Sequence, residues 1–538
     1  MTIRKKLLVM AVAAACSAQA MAADDASARI EELHETTLNL IQLLVEQKVL
    51  TQEAADGMLK KARAQAAEKV EQAKAAETEA GKDVVRVTYV PEHIKRDIQE
   101  QVRQEVVAQA KQERWGDVNT VPEWLDRLKW EGDFRVRYQG EYYPPANNPL
   151  VSNAPAADFK AFGQKVSNTT EDNASAKVRL RLGLNANVTS KVDVGVRITT
   201  GSTENPVSTN QTLGDYGNKF SLVLDRAFVK LTPYDDLTLW GGRLPNPFFS
   251  TDLVWDDDLN FDGVAVSYAL GSKEPLREFK LFVTAGAFPL QTIEQDGQVQ
   301  AKDKWLFALQ GGLEWQPNTR TRIKAGAAYY DYRNITGIRN LNPTGNGNYD
   351  LTAPTFRQKG NSLFIVDDDK DNDGNTTELN DDVFGLAAEY QIANLTLVAD
   401  FADYFPVHII GSLDMARNLG FDEAEVSAKA TVGNAASGYD LGADAYQFKL
   451  TVGYPKLVEP DEWQAFIGYR YVETDAVLDA FTDSDFHLGG TNAKGFMIGG
   501  QYAIYKNTWV AARWMSADEI TGLPLAIDVF QLDLNAKF

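Results

Sequence analysis

Residues Leu244 to Asn260 read LPNPFFSTDLVWDDDLN, which crowds Asp252, Asp256, Asp257 and Asp258 into one short segment. Carboxylates that close repel one another and stay ionised only where cations or water face them. Cations are available. Arg135, Arg137, Arg179, Arg181, Arg197, Arg226 and Lys230 sit in rows that alternate with apolar residues, so each row turns its charges to one side. An acidic segment folded toward such rows across water would set up a transverse field that screens solutes by charge and dipole. Two plainer arrangements compete: the cations pair with nearby Glu131, Asp133 and Asp193, or the acidic segment lies on an outer surface.

A second acidic stretch, Asp367 to Asp382, reads DDDKDNDGNTTELNDD and sets Asp369, Asp371 and Asp373 at every second position before Gly374. Calcium loops use this spacing because alternate carboxylates converge on one ion and glycine permits the turn. The twelfth position is Asn380 where a bidentate Glu belongs, with Glu378 and Asp381 as approximate substitutes, so bound calcium and a solvated acidic loop are both open. Catalysis has less to stand on. The four histidines are His34 and His93 in helical segments and His408 and His487 in loops, and nothing but proximity links His487 to Asp483 and Asp485. HExxH, CxxC and nucleotide-loop patterns are absent, so neither an enzyme nor a resident cofactor is expected.

The charged rows belong to strands. In Leu128 to Tyr138, Leu128, Trp130, Phe134, Val136 and Tyr138 alternate with Lys129, Glu131, Asp133, Arg135 and Arg137; in Val529 to Phe538, Phe530, Leu532, Leu534, Ala536 and Phe538 alternate with Gln531, Asp533, Asn535 and Lys537. An apolar face beside a charged one fits a wall between lipid and water, and these first and last strands are suited to pair. Sixteen such segments run from 126–143 to 528–538, among them 382–392 and 394–404 with a tight turn at Ala393-Asn394. Short connections alternate with long ones, of which Arg333 to Asp381 and Phe405 to Leu441 are the longest. Trp130, Trp315, Tyr390, Tyr454, Trp463 and Tyr505 lie near strand ends, where an interfacial girdle belongs. The expected fold is an all-β transmembrane β-barrel of about 16 antiparallel strands, wide enough to hold water. Water is required, because an inward face so rich in ions cannot be dry.

The 538-residue chain begins with Arg4, Lys5 and Lys6, an apolar core from Leu7 to Ala15, and Ala20-Met21-Ala22, the pattern of an export signal over residues 1–22. Its one cysteine, Cys16, falls inside that segment, so the mature chain is expected to lack disulfides and thiol chemistry; lipidation of Cys16 is the alternative, with Ala13 standing where leucine is usual. Beyond the signal no apolar run approaches the length of about 18–20 residues that a membrane helix needs. A closed barrel is then the way into a bilayer. A formal charge of −21, or −24 without the three signal cations, argues against nucleic acid as a partner. Residues 23–121 read as a periplasmic helical region, with Ile30, Leu33, Thr37, Leu40 and Leu44 in an approximate heptad row that suits a coiled coil between copies or else a solvated spacer. Residues 122–538 are assigned to the barrel.

Three blocks carry a resemblance. VRVTYVPEHIKRDIQEQVRQEVVAQAKQERW (Val85 to Trp115), VPEWLDRLKWEGDFRVRYQ (Val121 to Gln139) and GGRLPNPFFSTDLVWDDDLNFDGVAVSY (Gly241 to Tyr268) resemble the putative porins of Gram-negative bacteria, which carry a periplasmic helical segment before the barrel. The resemblance implies an outer-membrane barrel in contact with lipid, a homotrimer, and passive passage of small hydrophilic solutes or ions. Two other readings stay open: a structural tether that works through its periplasmic helices, and an anion-selective channel driven by the arginine rows.

Overall fold

The computed structural model describes residues 125–149, 168–274, 277–294, 299–340, 349–367, 383–429 and 440–538, all within the unit Asn119–Phe538. The segments expected to be a signal peptide (1–22) and a helical region (23–121), and the stretch bearing Asp369, Asp371, Asp373 and Glu378, lie outside the described residues.

The wall consists of β1 (Leu128–Tyr142), β2 (Asn173–Thr189), β3 (Val192–Thr199), β4 (Val223–Tyr234), β5 (Leu237–Pro245), β6 (Asn260–Glu274), β7 (Arg277–Gln291) and β8 (Lys304–Asn318). It continues through β9 (Thr321–Arg333), β10 (Gln391–Tyr404), β11 (Val407–Asn418), β12 (Asp444–Gly453), β13 (Trp463–Val472), β14 (Ala493–Tyr505), β15 (Thr508–Glu519) and β16 (Ala526–Lys537). Each strand pairs antiparallel with its neighbours in sequence, and β16 returns to β1 with Leu534 opposite Val136. The sheet is therefore a closed ring of sixteen long strands, to which the two-residue strand Gln211–Thr212 adds beside β2. Closure seats the last residue tightly: Phe538 N donates to Gly132 O at 2.9 Å, Gly132 N donates to Phe538 O at 2.8 Å, and the Phe538 ring occupies the space a side chain at Gly132 would need. The gap at Gly132 in the outward row of β1 is thereby explained.

One pair of expected strands is corrected. Ala393-Asn394 is no turn but lies inside β10, the tight turn falls at Phe405-Pro406, and the next strand, β11, occupies residues expected in a long loop. Residues 383–386 instead pair with 363–367 in a small separate sheet. The two errors cancel in the strand count. His408 accordingly sits on β11, with Nδ1 2.7 Å from Asp400 Oδ1 on β10.

Side chains alternate as lipid outside and water inside require. Trp130, Trp315, Trp463 and Tyr505 are exposed at the end of the barrel that bears the short turns, as an interfacial girdle demands. Tyr390 does not belong with them: it is fully buried and its hydroxyl donates to Asp475 at 2.8 Å. Long connections all emerge at the other end. They are numbered here as the first (143–172), second (200–222), third (246–259), fourth (292–303), fifth (334–390), sixth (419–443), seventh (473–492) and eighth (520–525) loops.

The face assignment is testable at Ile467, half-exposed on the outside of β13 between Leu450 and Ile498. Ile467→Arg puts a cation in acyl chains and is expected to cost about 2–4 kcal/mol. Urea unfolding of lipid-reconstituted protein would read that loss, and an unchanged midpoint would mean that the face is not lipid-exposed.

Candidate solute pathway

The third loop folds into the lumen and crosses it. Its start is pinned to β8, where Phe249 N donates to Gln310 Oε1 at 2.8 Å and Gln310 Nε2 donates back to Phe249 O at 2.7 Å. Further on, Thr251 Oγ1 donates to Asp414 on β11 at 2.6 Å, and Asp252 accepts from Gln447 on β12 at 2.7 Å and lies 2.9 Å from Arg470 on β13. Leu253, Val254 and Trp255 are buried, with the indole 5.0 Å from the inward Tyr330 ring and 4.9 Å from that of Phe261. The return leg reaches the opposite wall, where Asp258 lies 3.0 Å from Arg181 and 3.6 Å from Arg179. Burial of the apolar residues 253–255 supplies the driving force.

The seventh loop folds inward against it. Asp256 N donates to Phe481 O at 2.8 Å, Thr482 Oγ1 to Leu253 O at 2.7 Å, and Ser484 N to Asp256 Oδ2 at 2.9 Å. Asp485 anchors the far side, 3.0 Å from Arg137 on β1, ion-paired with Arg513 on β15, and accepting from Gln531 on β16 at 2.9 Å. The fifth loop locks both in place through Asn361 and Lys359, whose amide and ammonium donate to carbonyls of the seventh loop.

The four loop carboxylates end in four different electrostatic states. Burial alone would raise Asp252, but Arg470 and Lys449 outweigh it and hold the carboxyl at about 2. Asp258 is likewise kept below the usual carboxylate range, because Arg179, Arg181 and Arg135 together overcome its burial. Asp256 is pushed up to about 9 by burial and then by the charges of Asp483 and Asp258, so it is neutral at pH 7, and its carboxyl oxygens accept from the backbone N–H groups of Asp258 and Ser484. Asp257 alone of the four is exposed, facing lumen water, and enclosure together with Asp252, Asp483 and Asp258 lifts it to about 6.

The expected basic residues all face inward, but they are not equivalent. Arg137 is chelated by Asp533 at 2.8 Å and shares Asp485; Arg179 and Arg181 bind Asp133 at 2.9 and 2.7 Å; Arg197 pairs with Asp225. Asp133 thus neutralises cations as the plainer reading had it, whereas Asp193 accepts from Asn187. Arg135 and Arg226 have amide oxygens as partners, Asn210 at 2.6 Å and Asn260 at 2.7 Å, and Lys230 lies 5.3 Å from the Trp240 ring. His487, near Asp483 and Asp485 in sequence, has another partner: its Nε2 lies 3.1 Å from Leu525 O, and burial with Lys359 nearby keeps the ring neutral. Among the described residues no group of His, Cys, Asp and Glu is arranged to hold a metal.

A closed barrel with an ionic, loop-narrowed interior can pass water and small polar solutes, and sequence comparison says which family built it. The family model described as putative porin matches residues 34–538, nearly the whole chain. The chain belongs to the putative porin family. It is an outer-membrane channel that lets small hydrophilic solutes diffuse passively. No curated protein matches the sequence. Among solved structures, the porin is similar to OprB of Pseudomonas putida (TM-score 0.42, 11% identity, 77% of this chain and 96% of that one). It is similar also to the outer membrane channel DcaP of Acinetobacter baumannii (0.38, 13%, 76% and 97%) and to OmpF of Salmonella typhi (0.38, 10%, 77% and 99%).

Sequence reasoning missed the inward seventh loop of the porin and the arginines that meet it. Arg470 and Arg513 alternate with outward aromatics as the early arginines do, so the same rule was available for them. The seventh loop also carried a signal: Ala476, Val477, Leu478, Ala480 and Phe481 are too apolar for a loop in solvent, and all but the partly covered Phe481 are buried.

Arg470 is the joint between the two loops, 2.9 Å from Asp252 and 2.8 Å from Asp483 and almost fully buried. Arg470→Ala strands two carboxylates and is expected to destabilise the barrel by about 3–5 kcal/mol. Thermal unfolding in detergent measures this, and single-channel recording should show a noisier current as the loops loosen.

Proposed function

We propose that the porin's selectivity is set where the third and seventh loops face the arginines of β1 to β4, and that the open charges there decide which ions pass. Three of the four third-loop carboxylates contribute little free charge: Asp252 and Asp258 are paired, and Asp256 is protonated at pH 7. Asp257 is the exception. It faces water, which is the observation that carries the proposal. Against it stand Arg135 and Arg226, whose partners are amides. That surplus of positive charge favours a second reading within the same function, a preference for anions when Asp257 is neutral.

The proposal extends to assembly and placement. The heptad row from Ile30 to Leu44 would pair between copies in a homotrimer, and short turns in outer-membrane barrels face the periplasm, which would put the amino-terminal region there. Chemical crosslinking in intact outer membranes, with and without residues 23–121, tests the first of these.

The pH dependence has a definite sign. Because the Asp257 carboxyl is lifted to about 6, it is neutral below that pH and charged above it. Reversal potential in a salt gradient should move toward cations as pH rises from about 5 to 7, and Asp257→Asn should abolish that movement while leaving the channel open. An Asp257→Asn channel whose reversal potential still shifts over this range would exclude Asp257 as the selectivity group.

A further inference from the structure

A cavity of about 1140 Å³ opens among the second, third, fifth and seventh loops, above the upper ends of β4 to β8. That is ample for a small molecule, since binding sites typically measure about 300–1000 Å³. Phe261, Phe288, Leu306 and Phe481 line one side, an apolar wall unusual in a passage for ions. Three of the charged groups that line it are already engaged: Asp225 is bound by Arg197 and Asn260, and Arg243 and Asp262 pair at 2.9 Å. Asp479 has a buried oxygen without a partner, and burial lifts its carboxyl to about 7 despite Arg357 and Lys359 nearby.

Among the described residues the exposed Glu204 and the buried Lys304 at the cavity form no ion pair, and the buried one bears the larger cost. Lys304 is only 3% exposed, and its Nζ donates to one acceptor, Ala353 O at 2.5 Å. An ammonium has three donors and is costly to bury without a counter-ion. Gln291 is its register partner across the β7–β8 pair, also lines the cavity, and has a buried Oε1 with no partner. Oxygen and nitrogen of such an amide exchange by a flip, so Gln291 can equally present N–H groups. Two adjacent donors beside an apolar wall form half of a carboxylate site.

We propose that this cavity binds an amphipathic monocarboxylate on its way through the porin, with the carboxylate on Lys304 Nζ and the Gln291 amide and the apolar body against Phe261, Phe288, Leu306 and Phe481. The solute class rests on the porin reading. A doubly charged anion would enclose its second charge without a cation to meet it, and a short acid such as acetate leaves the apolar wall uncovered.

Calorimetry on the full detergent-solubilised protein tests the site with 3-phenylpropionate, its neutral isostere 3-phenylpropionamide, and acetate. The acid should bind at least about tenfold more tightly than either of the others, as a charge-assisted bond to a buried ammonium implies. Lys304→Met should erase that preference and Lys304→Arg should retain most of it. Equal binding of acid and amide by the wild type, or an undiminished preference in Lys304→Met, overturns the proposal. Should Lys304→Met fail to fold, the wild-type ratio of acid to amide decides alone. KCl conductance in planar bilayers is read separately: a silent protein strikes the porin reading, whereas a conducting one indifferent to the acid strikes only this site.

Discussion

Acyl chains offer no hydrogen bonds, so every N–H and C=O group that enters them must find its partner in the protein. In this chain that requirement is met by the pairing of β16 with β1, which removes the last free edge of the sheet. Everything else follows from the ring. A closed wall of sixteen strands has room inside for more than side chains, and the room is what permits two loops to enter and the inward face to be ionic. Phe538 seated over Gly132 completes the edge that would otherwise be left open.

Inside the ring the organising force changes from hydrogen bonding to charge compensation. Arginines project from β1 to β4, β13 and β15, and the carboxylates that meet them come largely from loops: Asp258 and Asp252 from the third, Asp483 and Asp485 from the seventh. The loops are therefore held by the wall's charges as much as by apolar residues such as Trp255. Compensation is close but incomplete. Among the exceptions in the described residues are Asp257, Arg135, Arg226 and Lys304, which have interactions to spare for a passing solute.

Alternation along the strands was plain in the sequence because lipid and water impose opposite demands on neighbouring residues. The reading failed where that contrast fades. In β11, the inward position 410 is an isoleucine and Gly411 sits on the outward side, so VHIIGSLDMARN lacks a clean two-residue period. Residues 383–392, by contrast, look like a membrane strand because they are apolar, yet Leu386, Ala387, Ala388 and Tyr390 belong to the fifth loop and are buried in the cluster it shares with the seventh. Composition cannot distinguish burial in lipid from burial in a loop-filled lumen. The acidic third loop was legible as a segment that had to face cations, but its individual charge states were not. Those depend on Asp483 and Arg470, more than 200 positions away in the chain.

The link between Ser484 N and Asp256 joins groups 228 residues apart. Whatever order the strands follow as they enter the bilayer, the third loop must wait for the carboxy-terminal hairpins before its innermost carboxylate gains those partners. Until then the strap has its earlier anchors, Gln310 on β8 and Arg181 on β2, but not the partners that fix its middle. The narrowest part of the passage thus depends on both halves of the chain, and neither half could set its width alone.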